Sequence, residues 1–285
     1  MTTKKEDAKR LGIYLLIVFL SMLLFVLFRR PMEASTTVYF IIFDLFSFSP
    51  AIASLITRAV TKEGFRDMEL HLHLAGNIRW YLLAFALPMI CFSVKFFLPI
   101  ILTGHAGWLA GLTVQDVLSN VLTLAALSAV TSVGLIGEEL GWRGYLNQKL
   151  EPLLGTVGTC LAGGIVWGLW HLPMDLVGCL NSGGTISEAF TICGGRMLAL
   201  TFYGVFLMWL TKKTDSVFPA VIAHHVFNES QGALAALLSQ CPIPEDADLG
   251  VIADVFAHLP MIVVAVLFMI LLLRDGGSEA LRPAR

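Results

Sequence analysis

The feature that most limits what this chain can become is the recurrence of long apolar runs, at residues 11–28, 36–57, 80–102, 114–142, 155–178, 190–210, 217–239 and 255–273. Each approaches or exceeds the ~17–25 residues that a helix needs to cross a bilayer. Inside lipid every backbone polar group must be satisfied within the protein, and for runs of this length the helix does that. The expected fold is therefore all-α: a polytopic membrane helix bundle of about eight transmembrane helices, forming one integral membrane domain over residues 1–285. Composition points the same way, with 14% charged residues against ~25% in a soluble domain. The net charge of −2 is small, and the basic residues are spread through loops, so no nucleic-acid partner is expected. The five cysteines, Cys91, Cys160, Cys179, Cys193 and Cys241, are isolated, which argues against a zinc knuckle or a disulfide framework.

Loop charge sets the expected sidedness. With a cytoplasmic N-terminus, Lys4, Lys5, Lys9, Arg10, Arg58, Lys62, Arg66, Arg79, Lys149, Lys212, Lys213, Arg274, Arg282 and Arg285 fall on one side, and Arg29 and Arg30 on the other. That excess belongs to the cytoplasm. Both termini are then cytoplasmic, in the plasma membrane if the host is bacterial, and the loop at residues 245–248 lies across the bilayer. The first run has the basic start of a signal peptide, but no small-residue cleavage site follows it, so it reads as an uncleaved anchor. Residues 64–79 read as an amphipathic cytoplasmic connector with His71 and His73 on its surface, and residues 274–285 as a disordered tail. Lys95, near the end of the third run, reads as a snorkelling side chain.

Three runs carry polar groups that need a reason to be there. Glu138, Glu139 and Arg143 end the fourth, and an ionisable group at the centre of a membrane helix costs at least ~2.5–3.5 kcal/mol. Neighbouring residues are ~100° apart around a helix, so Glu138 and Glu139 address different partners. Arg143 follows Glu139 at i+4 in the favourable acid-before-base order, which leaves Glu138 free. On the fifth run Trp167 and His171 share a face, and Pro173 permits a bend after the histidine. On the seventh, His224 and Asn228 stack one turn apart. Each helix alone is compatible with packing or with interhelical hydrogen bonding. Together a free carboxylate, two histidines and an amide make a proton-transfer and oxyanion-binding set. Glu138, His171 and His224 could also supply a zinc site, but the chain has no His-Glu-x-x-His helix, and Asn228 suits an oxyanion hole better than a zinc sphere.

Glu138-Glu139-x-x-x-Arg143, Trp167-x-x-x-His171 within Trp-His-Leu-Pro, and His224-x-x-x-Asn228 resemble, in order, the three motifs of the CPBP family (CAAX protease and bacteriocin-processing, also called Abi) of intramembrane glutamate-dependent endopeptidases. The likeness covers a core of about residues 36–240. It departs from the family pattern at Trp167, where phenylalanine is frequent, and His225 adds a second imidazole beside the third motif, though only His224 has Asn228 at i+4. The resemblance implies that Glu138, with His171, activates a water for attack on a peptide carbonyl. It implies that His224 and Asn228 stabilise the oxyanion, and that Glu139, Arg143 and Trp167 support them. No cofactor is implied, with zinc as the alternative. The implied partners are the bilayer and a membrane-associated peptide or protein, lipidated ones included, bound in an intramembrane catalytic cavity. The alternative function is a non-catalytic membrane protein for bacteriocin self-immunity or scaffolding; a transporter is disfavoured because no internal repeat is visible.

Overall fold

A computed structural model describes residues 3–28, 35–131, 133–244 and 246–279. All regular structure among them is helical: α1 (Lys4–Leu27), α2 (Thr36–Ser47), α3 (Ser49–Thr61), α4 (Ile78–Leu102), α5 (Val114–Thr131), α6 (Val133–Gly141), α7 (Asn147–Trp170), α8 (Leu172–Asn181), α9 (Ile186–Thr214), α10 (Phe218–Leu238) and α11 (Gly250–Glu279). A 3-10 turn occupies Ala106–Gly111, and a π-helical turn, Trp142–Leu146, joins α6 to α7. The helix ends follow local chemistry. Thr3 with Glu6 and Thr185 with Glu188 form reciprocal capping boxes at the starts of α1 and α9. Prolines open α3, α8 and α10, where a missing N–H costs no helical bond.

The bundle is polytopic, as expected, but eight spans are not what helix length and apolarity deliver. By those criteria the described residues hold five spanning helices, or six if α2 and α3, bent by 52°, count as one. Two physical causes account for the difference. The expected fourth span, 114–142, is divided: its first part is the shorter apolar helix α5, and its end runs on with the fifth in one stretch, Gly134–Asn181, interrupted by the π turn and by a kink at Gly155 (φ 67°). In addition α10, which carries His224, His225, Asn228, Glu229 and Gln231, is too polar to qualify. At the C-terminus α11 continues through Glu279, past the residue where the tail was expected to begin. Arg29, Arg30, Glu245 and residues 280–285, on which part of the expected sidedness and the rest of the tail depend, lie outside the described residues.

Two glycine pairs bring the site helices together. A Cβ on Gly141 would sit 2.2 Å from Pro50 Cβ, and one on Gly137 would sit 2.8 Å from Phe48, so α6 lies directly on the start of α3. Likewise Cβ atoms on Gly164 and Gly168 would meet Thr201 at 2.3 Å and Met197 at 2.4 Å. The Gly164-x-x-x-Gly168 spacing thus serves close packing of α7 on α9 within the chain, where small residues let helix backbones approach. The aromatic core sits beside this seam: Trp142, Trp167, Trp170, Tyr203 and Phe206 are fully buried.

Five of the basic residues assigned to one side, Arg10, Arg58, Lys149, Lys212 and Lys213, gather at one end. Glu63 pairs with Arg10 (2.7 Å), Lys149 (3.3 Å) and the buried Arg58 (3.5 Å). Arg58 also pairs with Asp67 and donates to the carbonyl of Gly144, within the π turn (3.2 Å). Lys212 meets Glu151 and Lys213 meets Asp275 at the same end. The connector is pinned there too, with the Val217 N–H donating to the Glu69 carbonyl (3.0 Å) and a His73 ring nitrogen 3.1 Å from the Thr214 carbonyl.

Candidate active site

The α6 motif reaches the bundle centre because α6 is clamped on α3 and ends in a π turn, a local widening common at functional sites. Glu138 is 5% exposed and Glu139 0%. Their ~100° separation holds, and each finds a different set of partners. Glu138 Oε2 accepts hydrogen bonds from the indole nitrogens of Trp167 (3.0 Å) and Trp142 (3.4 Å). The carboxylate left free in the sequence reading is therefore oriented by two tryptophans, both bonds falling on one oxygen, so that Oε1 remains for other work. Glu139 pairs with Arg143 (3.1 Å), as the i+4 spacing anticipates. The same Glu139 oxygen also receives the Nδ1 of His224 from α10, at 2.9 Å.

Trp167 is the hub of the arrangement. Its indole binds Glu138, its face carries the Arg143 guanidinium 4.1 Å from the ring centroid, and its edge meets the His224 ring at 5.0 Å. Its carbonyl lies 2.9 Å from His171 Nδ1. A carbonyl only accepts, so Nδ1 of His171 carries the proton and Nε2 of the neutral ring is a base. His171 stands at the joint between α7 and α8, where Pro173 prevents the helix from running straight on. Trp170 packs edge-on against His171 (4.8 Å) and stacks on Phe46 (4.2 Å), which fixes the imidazole plane.

Glu138, Glu139, Arg143, Trp167, His171 and His224 are thus brought together and buried. Asn228 is placed differently. It is exposed, makes no hydrogen bond with another described residue, and lies on the wall of a cavity of about 960 Å³ between α4, α9, α10 and α11. His225 is buried beside His224, and the link to Glu139 is made by His224. Among the described residues no group of three or more His, Cys, Asp or Glu side chains is placed to hold a metal ion.

Two parts of the site were missed in the sequence. Trp142, four residues after Glu138, was available as an i+4 partner and was overlooked. Asp175 and Arg196 form a bidentate pair, with contacts of 2.6–3.1 Å, that locks α8 to α9 just beyond His171. Their signal was one acid and one base in consecutive apolar runs.

Residues 118–229 match a family profile described as type II CAAX prenyl endopeptidase, Rce1-like. A stretch of 99 residues is 29% identical to CAAX prenyl protease 2 of Methanococcus maripaludis, covering 34% of this chain and 36% of that protein. The matched stretch spans about a third of the curated relative's length. All three motifs fall inside the profile match. The segment that carries Glu138, His171, His224 and Asn228 is thus similar to the CAAX-protease (CPBP, Abi) family.

Proposed function

We propose that this protein is an intramembrane endopeptidase that hydrolyses a peptide bond of a membrane-associated substrate with a water activated by Glu138 and His171. The observation that carries the reading is the convergence on Trp167 of a carboxylate oriented through one oxygen and two imidazoles whose Nδ1 atoms are both engaged. This leaves Glu138 Oε1 and the Nε2 atoms of His171 and His224 for the reaction. Glu138 and His171 take the proton of the attacking water and return it to the leaving amine. For His224 to donate to the oxyanion its Nε2 must carry a proton while Nδ1–H binds Glu139, and the Glu139 carboxylate stabilises that imidazolium. Asn228, one turn further along α10, adds an amide donor from the cavity wall. Burial strengthens the interactions of Glu138, His171 and His224 by excluding water.

The substrate class follows from the relative, a prenyl protease by name, and from the apolar cavity: a lipidated protein or peptide presented within the membrane. The excess of basic residues assigns the end where Arg10, Arg58, Lys149, Lys212 and Lys213 meet to the cytoplasm, and both termini with it in this reading. The test is incubation of the purified full-length protein in nanodiscs with a panel of farnesylated peptides, with products identified by mass spectrometry. Cleavage that persists in 1,10-phenanthroline is expected. Loss of all cleavage in chelator, restored by zinc, would replace glutamate catalysis with the zinc alternative.

A further inference from the structure

One cation within the membrane-spanning region is not used by the proposed chemistry. Lys95 lies on α4, about 25 Å along the helix from Ile78 and about 10 Å short of its end at Leu102. Its ammonium turns into the cavity and donates to Gln231 Oε1 of α10 at 3.2 Å, with the rings of Phe92 and Phe96 at 5.5 and 5.4 Å. No carboxylate among the described residues forms an ion pair with it. A charge at such depth is costly, and a neutral amide and two ring faces offset part of that. Helix packing alone would be served as well by Met or Leu. Apart from Asn228, Gln231 and His258 the cavity wall is otherwise apolar or small, and no carboxylate among the described residues lines it. The missing element is an anion, and the cavity that would admit it also contains Asn228.

We propose that Lys95 is a specificity-determining residue that binds the C-terminal carboxylate of the peptide substrate. This rests on the endopeptidase reading above. Gln231, which holds the ammonium, is three residues beyond Asn228 and seven beyond His224 on α10, or about 4.5 and 10 Å along the axis. An extended peptide advances ~3.3–3.6 Å per residue, so the cation stands about one to three residues past a carbonyl held at His224 and Asn228. Gly195 and Gly232 line the same cavity, and a Cβ at either meets nothing within 4 Å, so the peptide has room between the two points. The chain would then cut close to a free C-terminus and read its charge.

The experiment measures binding rather than turnover. Full-length Glu138→Gln protein in phosphatidylcholine nanodiscs is titrated with N-acetyl-Leu-Leu-Phe as the free acid and as the carboxamide, with dodecanoate as a lipid-like carboxylate. The acid is expected to bind about tenfold more tightly than the amide, a difference of about 1.4 kcal/mol. Lys95→Arg keeps that preference, while Lys95→Met and the more polar Lys95→Gln lose it at unchanged melting temperature. Equal affinity for acid and amide, an undiminished preference in Lys95→Met, or dodecanoate binding as tightly as the acid peptide would overturn the proposal. A protein that shows the Lys95-dependent preference in the Glu138→Gln background, and cleaves nothing as wild type, would refute the endopeptidase reading and leave the carboxylate site standing.

Discussion

Removing the Arg143 charge separates a packing role of Glu139 from a role exerted through His224. Glu139 is 0% exposed, and one of its oxygens takes both the Arg143 guanidinium at 3.1 Å and His224 Nδ1 at 2.9 Å. Breaking a buried pair by removing one partner costs ~3–5 kcal/mol. His224 remains as a partner, so Arg143→Gln should cost less than that, ~2–3 kcal/mol, about the worth of one charge-assisted hydrogen bond. At ~2–4 °C per kcal/mol for a chain of this size class, the melting temperature of the detergent-solubilised protein should fall by ~4–12 °C. Adding Glu139→Gln removes the orphaned charge, and two amides can hydrogen-bond at the same spacing, so the double variant should melt within ~3 °C of the parent. Its peptide turnover should nevertheless stay depressed, by ~10²–10³-fold, because an amide does not stabilise the protonated imidazole needed at the oxyanion. Recovery of both stability and turnover in the double variant would show that Glu139 only neutralises Arg143, and would refute the coupling to His224.

Two further outcomes concern the end of the molecule where the connector packs. Burial raises the Glu69 carboxyl from 4.5 to about 7, with Asp215 and Asp67 adding to the shift against the opposing effects of Gln148 and Lys212. Between those two values the folded chain holds a proton that the unfolded chain has released, so stability falls as pH rises through 7, by ~1–3 kcal/mol after allowance for solvent screening; Glu69→Gln should flatten the melting-temperature profile between pH 5 and 8, and an unchanged slope would count against it. Reporter fusions at Lys5, after Lys213 and within residues 246–248 should report cytoplasmic, cytoplasmic and opposite-side locations, and a cytoplasmic signal from all three would overturn the proposed orientation.

What the sequence made legible was whatever lies along one helix. The i+4 rule placed Arg143 on Glu139, the Trp167–His171 spacing put both side chains on one face, and Pro173 marked the bend at the histidine. Apolar runs located the helices, yet they overcounted spans, because a helix such as α10 that must carry His224, His225 and Asn228 is less apolar than a spanning helix needs to be on hydropathy alone. What stayed hidden lies between helices. His224 and Glu139 are 85 residues apart, and no periodicity reports which neighbour an imidazole will meet after packing. The hydrogen bond of Lys95 to Gln231 stayed hidden for the same reason, since it depends on which helix stands opposite. The separate placement of Asn228, on a cavity wall and not among the buried group, likewise depends on where α4 and α11 lie.

Peptide hydrolysis by the Glu138→Gln protein bears most directly on the central claim, that Glu138 activates water while its neighbours hold it. Gln keeps the volume and can still accept the Trp167 and Trp142 N–H groups, so the melting temperature should stay within ~2 °C of the parent, as for a near-isosteric exchange. Turnover of a farnesylated fluorogenic peptide should fall by ~10²–10⁴-fold, the contribution of a general base. A Glu138→Gln preparation that melts like the parent and cleaves at the parental rate would contradict the account.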